Sequence, residues 1–294
     1  MLAIVGTVPQ QDFPLTEGEV SLMDGKLLIS GKSLPVLRGT PALLAASASV
    51  SSLLKAENPY AFLVGDIGKG DGSRRLYEYL TGVFPRKTFS AIAFHYLQPD
   101  VDWHNRVLFS VEEMTERPLL IADAGFMYAA KMSGQAQQYD LFTPDAGEMA
   151  FLADEEAPHP FYTRGFILHE QNIVSKLIER AYLHENASRM LIVKGREDII
   201  ATKDGVSKTV REPVVETLEP IGGTGDTLTG IVSALAAYGI PLEGSAVAAC
   251  RANRLAGLLA SPTPATQVSE IVARIPEALE RIIERADLHL TLMP

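Results

Sequence analysis

Short apolar runs alternate with stretches of helical periodicity along most of this chain, the order expected of βαβ units around a largely parallel sheet. The runs Leu2–Thr7, Ala61–Val64, Ala91–Phe94, Leu119–Ala122, Leu141–Phe142 and Met190–Val193 are short and almost wholly apolar, as strands buried on both faces are. Helical spacing follows most of them, over Pro41–Leu54, Ser73–Leu80, Val111–Thr115, Ala146–Leu152 and Ile173–Ala181. Later the pattern is helical only, over Asp226–Tyr238, Ser245–Leu259 and Val268–Arg285, until Asp287–Leu292 alternates like a short edge strand. No repeat, heptad run or linker divides the sequence, so one α/β domain spanning 1–294 is expected.

The strongest chemical signal opens the first of the late helices. Gly222-Gly223-Thr224-Gly225-Asp226 runs straight into Leu228, Ile231 and Leu235 at helical spacing. The glycines allow positive φ and close approach of a ligand, and the helix start supplies unpartnered amides and the positive end of the helix dipole. That combination suits a phosphate or a developing oxyanion. Asp226 in such a cradle has two readings. It caps the helix through its own carboxylate, or it takes a proton from an alcohol that attacks the bound phosphorus.

Other segments sharpen the choice. Leu120-Ile121-Ala122-Asp123-Ala124, Phe142-Thr143-Pro144-Asp145-Ala146-Gly147-Glu148-Met149, Leu191-Ile192-Val193-Lys194-Gly195 and Ile199–Gly205 stand in the same order and spacing as in one family. With Gly222–Gly230 they resemble the ribokinase-like superfamily, and most closely its ADP/ATP-dependent NAD(P)H-hydrate dehydratase branch. The resemblance spans roughly residues 60 to 260. It implies a ribokinase-like three-layer α/β/α sandwich with a central, mostly parallel sheet.

It also implies roles. Asp226 would be the base, with Gly223, Thr224 and Gly225 as the anion hole and Lys194, Gly195, Thr202 and Gly222 on the nucleotide. Ala42, Gly65, Asp66 and Asp145 would meet the acceptor, and Glu148 would reach a metal through water. The donor would be ATP or ADP with Mg2+, and the acceptor hydrated NADH or NADPH. A kinase for a small alcohol, sugar or vitamin precursor is the alternative, and a nucleotide-binding sensor without turnover a third. Several residues keep a plain reading beside the functional one. Lys194 could snorkel from a sheet edge, Glu148 could be a first-turn helix acid, and Asp66 and Asp71 could bind a divalent ion or cap the next helix. The sequence also departs from the family. Gly65-Asp66-Ile67-Gly68 replaces a Gly-Pro-Gly-x-Gly loop, Asp145 stands where a histidine contacts the substrate, Ala146 replaces a proline, and Arg38-Gly39-Thr40-Pro41-Ala42 keeps only part of an early glycine-alanine segment.

Composition narrows the partners. A formal charge of -10 argues against a general binder of nucleic acid or anionic membrane. The stretch Gly39–Leu54 is interrupted by serines and too short to span a bilayer, and Met1–Gly6 lacks the features of a secretory signal. With one cysteine, Cys250, no internal disulfide or cysteine-bound zinc is expected, which suits the cytoplasm. Sheet-like sequence from Met1 leaves no room for the epimerase domain that precedes this domain in some relatives. Ala-rich helices near Pro41 and Ala246 offer close-packing faces, and a homo-oligomer is expected. The six histidines show no ligand spacing, and none is assigned a role.

Overall fold

The computed structural model describes residues 1–165 and 174–285, so the expected edge strand over Asp287–Leu292 lies outside the described residues. The six apolar runs form strands β1 (Leu2–Val8), β5 (Tyr60–Gly65), β6 (Ala91–His95), β7 (Leu119–Ala122), β8 (Leu141–Phe142) and β9 (Met190–Val193), all mutually parallel. Antiparallel strands extend both edges: β2 (Thr16–Met23), β3 (Lys26–Ile29) and β4 (Lys32–Pro35) beyond β5, and β10 (Asp198–Thr202) and β11 (Gly205–Val210) beyond β9. The sheet order is β11-β10-β9-β8-β7-β6-β1-β5-β2-β3-β4.

Helices cover both faces: α1 (Thr40–Leu53), α2 (Asp71–Val83), α3 (Val101–Glu112), α4 (Ala124–Met132), α5 (Ala146–Ala153), α6 (Val174–Leu183), α7 (Thr224–Ala237), α8 (Leu242–Leu259), α9 (Val268–Val272) and α10 (Ile275–Arg285). Strand β1 shows the division, because alternate side chains point to opposite faces. Leu2 and Ile4 join a core with the apolar residues of α1, α7 and α8, while Ala3 and Val5 join one with those of α2, α3 and α4. This is the expected ribokinase-like layering.

Three local expectations change. The β2–β4 meander was not anticipated; its turns carry Asp24 and Gly25 at φ 50 and 71, and Ser30 and Gly31 at φ 45 and 75. Positive φ at both central residues is the twist-matched geometry of tight hairpins. The helix expected over Val268–Arg285 breaks into α9 and α10, with Pro276 in the first turn of α10, where its missing amide costs nothing. The Ala-rich faces of α1 and α8 are spent inside the chain: α1 is buried from Thr40 to Ser51, and Ala246, Ala249, Cys250 and Ala252 of α8 are buried too. The approach of α1 to α7 is so close that a Cβ on Gly230 would stand 2.3 Å from the Leu43 carbonyl oxygen. Those faces therefore give no support to the expected homo-oligomer. Among the described residues no helix is long and apolar enough to cross a membrane.

The topology places the site. From β1 the chain winds to β5 on one side, whereas from β6 it proceeds to β7, β8 and β9 on the other. The winding thus reverses between β1 and β6, and in an open parallel sheet a ligand crevice forms there, beyond the carboxyl ends of the strands.

Candidate active site

Successive strand ends deliver side chains to that crevice. His95 closes β6, Asp123 follows β7, Asp145 follows β8 and Lys194 follows β9. Helix α7 points its N-terminus at them, and all four line, with Asp226, a cleft of about 1090 Å³. That lies at the upper end of the range for ligand pockets, roughly 1,000 Å³. Its lining includes His95, Tyr96, Asp123 and Asp145 together with the apolar side chains of Val214, Val215, Leu218 and Ile271.

A glycine turn in the same lining starts α7. Gly223 occupies the cap position at φ 108, a left-handed conformation, and has no side chain to cap the first turn. Asp226 does not cap it either. One carboxylate oxygen accepts the Gly39 amide at 2.6 Å, and the other meets His95 Nε2 at 3.1 Å. A carboxylate only accepts, so His95 Nε2 carries the proton, and His95 Nδ1 faces Thr40 Oγ1 at 3.1 Å. Gly6 leaves the room for this chain of contacts: a Cβ there would sit 2.6 Å from both the His95 carbonyl oxygen and Thr40 Oγ1. Burial alone would raise the Asp226 carboxyl. The His95 hydrogen bond and charge, the Gly39 amide and the Lys194 charge outweigh it and hold the group below its ordinary value. Asp226 is thus an ionised acceptor at rest, with one lone pair on each oxygen still free for a hydroxyl.

Lys194 is already engaged. Its ammonium lies 3.0 and 2.9 Å from the two oxygens of Asp123, which also accepts Thr229 Oγ1 at 2.7 Å and the Ala124 amide at 2.8 Å. Thr143 Oγ1 extends the network to Thr229 at 2.9 Å. Burial would lower the ammonium, but Asp123 and Glu148 outweigh it and hold Lys194 above its ordinary value. Its charge therefore balances buried carboxylates before any phosphate arrives, and it reaches a ligand from within a neutralised pair.

His95, Asp123 and Asp226 bring potential ligand atoms within 4.8 Å of one another. Those atoms are taken up by each other and by Lys194, which leaves the cluster a proton-holding network rather than a cation site.

Glu148 and Asp145 form a reciprocal cap on α5: the Glu148 amide donates to Asp145 at 2.8 Å and the Asp145 amide donates to Glu148 at 2.8 Å. Tyr128 donates its hydroxyl to the other Glu148 oxygen at 3.2 Å. Burial, opposed by Lys194 and reinforced by Asp123 and Asp145, pushes the Glu148 carboxyl up to about 8. The folded value lies above the unfolded one. The associated stability is therefore full below the ordinary carboxylate range and drains away as pH rises toward 8. Urea midpoints between pH 5 and 9 should fall less steeply in Glu148→Gln than in the parent, and parallel profiles would remove Glu148 from that titration.

The expected site residues separate into those at the cleft and those elsewhere. Asp226, Gly222, Gly223, Thr224, Gly225, Lys194, Gly195, Asp145 and Glu148 line it. Thr202 lies at the opposite edge: β10 runs antiparallel to β9, which carries Thr202 back to the amino end beside Met190. Ala42 is fully buried in α1. Gly65 and Asp66 line a separate cavity of about 450 Å³ with Phe13 and Arg75, because β5 lies beyond β1, on the far side of the winding reversal. Asp66 accepts the amides of Gly68, Lys69, Gly70 and Ser73, so it closes the loop and caps α2. The end of β6 lines the cleft instead, and sequence reasoning missed its residues, His95 and Tyr96. It also missed Arg38, which lines the cleft with its Cδ 3.1 Å from where a Cβ on Gly222 would sit. Among the described residues Arg38 has no acidic partner.

Comparison with known proteins bears on this geometry. Residues 98–277, more than half of the chain, match the profile of a family described as NAD(P)H-hydrate dehydratase. An uncharacterized protein of Methanocaldococcus jannaschii is 40% identical over 221 residues, 75% of this chain and 90% of that one. A bifunctional NAD(P)H-hydrate repair enzyme of Pyrobaculum aerophilum is 33% identical over 144 residues, 48% of this chain but 26% of that longer enzyme. Among solved structures, the ADP/ATP-dependent NAD(P)H-hydrate dehydratase of Bacillus subtilis, co-crystallized with ATP/Mg2+, superposes with a TM-score of 0.57 at 15% identity, covering 95% of this chain and 89% of that one. Phosphofructokinase-2 of Escherichia coli gives 0.55 at 15% identity, covering 95% and 99%. Likeness at that identity speaks for the shared fold alone.

Proposed function

Because the chain belongs to the NAD(P)H-hydrate dehydratase family, we propose that it uses ATP or ADP to dehydrate hydrated NADH or NADPH, with Asp226 receiving the proton of the ring hydroxyl. The observation that carries this reading is the Asp226 carboxylate itself, ionised and pinned between Gly39 and His95 beside an uncapped helix start. The hydroxyl oxygen forms a bond to the terminal phosphorus as the bond from phosphorus to the rest of the nucleotide breaks, and the nucleotide leaves with the electron pair. Phosphate then departs from the ring carbon with its electron pair, a neighbouring ring carbon loses a proton, and the double bond of NADH or NADPH is restored.

The depressed affinity of Asp226 for protons is compatible with this task. Phosphoryl transfer passes through a loose transition state that asks little of a base and much of positioning. The amides of Thr224, Gly225 and Asp226 face the charge that develops on the transferred group. A magnesium ion carried in by the nucleotide would offset phosphate charge, and Glu148 would meet its water shell rather than the ion directly, since a carboxyl held at about 8 is a poor direct ligand at neutral pH.

Arg38, at the cleft and without an acidic partner among the described residues, would supply the positive charge that Lys194 already spends on Asp123. Arg38→Ala should lower kcat/KM for the nucleotide by about tenfold to a hundredfold, the size of a lost charged hydrogen bond. Initial rates at varied ATP or ADP check this, and an unchanged value would remove Arg38 from phosphate binding. The reading as a whole is tested by incubating the protein with hydrated NADH and either nucleotide while following nicotinamide absorbance. Recovery that requires nucleotide supports it; no recovery with either donor overturns it.

A further inference from the structure

Several of the residues around Asp226 precede the family-matched span: Gly39, His95 and Tyr96 all come before residue 98. One of them has an uncommon backbone conformation. Tyr96 has φ 51, and among the described non-glycine residues with positive φ it is the aromatic one. A bulky side chain adopts this left-handed conformation only where its surroundings impose it, and such strain concentrates at ligand sites. Thr7 Oγ1 donates to the Tyr96 carbonyl at 2.6 Å and helps to hold the backbone there.

The consequence is that the ring leaves the line of the sheet and stands in the cleft, 51% exposed. It forms a T-shaped pair with the His95 imidazole, with centroids 4.4 Å apart and planes at 88°. The ring also lies 3.7 Å from the point that a Cβ on Gly39 would occupy. Gly39 and His95 are the two groups that hold the Asp226 carboxylate. The exposed aromatic surface is therefore fixed against the hardware that aims the acid. Its hydroxyl, pushed up to about 12 by burial and by Asp226, Asp123 and Glu148, stays a hydrogen-bond donor at neutral pH.

We propose that Tyr96 is the acceptor platform: the planar enamine-carboxamide part of a partly saturated ring, such as that of hydrated NADH, rests on its face with the ring hydroxyl directed at Asp226. This rests on the dehydratase reading above and adds a specificity residue that the family-matched span does not contain. Aromatic stacking on a heterocycle is worth enough that its loss is readily measured.

The test compares the parent with Tyr96→Gly, which relaxes the left-handed backbone, Tyr96→Leu, which keeps bulk without the aromatic face, and Tyr96→Phe. KM is measured separately for hydrated NADH and for the nucleotide, with NADH fluorescence titration and thermal melting alongside. The Gly and Leu variants should raise KM for hydrated NADH by about 5- to 100-fold, leave KM for the nucleotide unchanged and weaken NADH binding in parallel. The Phe variant should stay near the parent, and the Gly variant should melt no lower than it. An active parent with unchanged acceptor KM in both Gly and Leu overturns the platform alone. Equal losses in both KM values together with a lower melting point assign Tyr96 to packing and also overturn it. A parent that neither converts hydrated NADH nor binds NADH removes the dehydratase reading and the platform together.

Discussion

Asp226→Asn is expected to lower turnover by about 10² to 10⁴ while nucleotide binding and melting temperature stay close to those of the parent. The structure makes the substitution specific. The amide oxygen can still accept the Gly39 amide, so the turn before α1 and the start of α7 keep their contact. The amide nitrogen then faces the proton on His95 Nε2, and a donor opposite a donor forces the imidazole to change tautomer or lose that bond. Neither change disturbs the Gly223 cradle, which is backbone. What disappears is the negative acceptor for the hydroxyl proton. Isothermal titration with ATP and ADP beside single-turnover rates separates the two effects, and an Asn variant that turns over at the parent rate would take Asp226 out of the chemistry.

Lys194→Met should be the most damaging single change to stability, at about 3–5 kcal/mol, because it strands a buried carboxylate. Asp123 is 2% exposed and Lys194 14%, with the pair at 2.9 Å. Thr229 and the Ala124 amide would remain on Asp123 as neutral donors and replace little of the lost charge. Adding Asp123→Asn should recover part of the loss, since the uncompensated charge is then gone; chemical denaturation of the two single variants and the double variant gives the coupling directly. If Lys194 served only to hold a nucleotide phosphate, the Met variant would keep its ligand-free stability and the double variant would be no better than the worse single one.

Much of the fold was legible because parallel strands buried on both faces are nearly continuous apolar runs, and the six central strands appear in the sequence as such. The β2–β4 meander is not legible from periodicity, although Asp24-Gly25 and Ser30-Gly31 punctuate it at hairpin spacing; its strands are largely half-exposed and mixed in composition, so turn chemistry carries more of the signal than periodicity. The helix over Val268–Arg285 was read through Pro276, where the proline in fact marks a new first turn.

At the site, the glycine cradle and Asp226 could be read because they lie within five consecutive residues. The partners of Asp226 could not. His95 is 131 residues away and Gly39 is 187, and only the strand order that puts β6 beside β1 brings them to the same crevice. Gly65 and Asp66 show the converse. They have the composition of a ligand loop after a strand, but β5 stands on the wrong side of the winding reversal, and Asp66 spends its oxygens on its own loop. Thr202 failed for a related reason, since a hairpin after the last parallel strand returns its far end to the opposite edge.

The central claim is that phosphate is moved onto a ring hydroxyl at Asp226 and then expelled. The most direct measurement is the yield of NADH and of free phosphate from hydrated NADH and a limiting amount of ATP or ADP, quantified in the same reaction. Equal amounts of NADH, free phosphate and spent nucleotide are predicted. A phosphorylated acceptor that accumulates without NADH, or spent nucleotide without NADH, would contradict it.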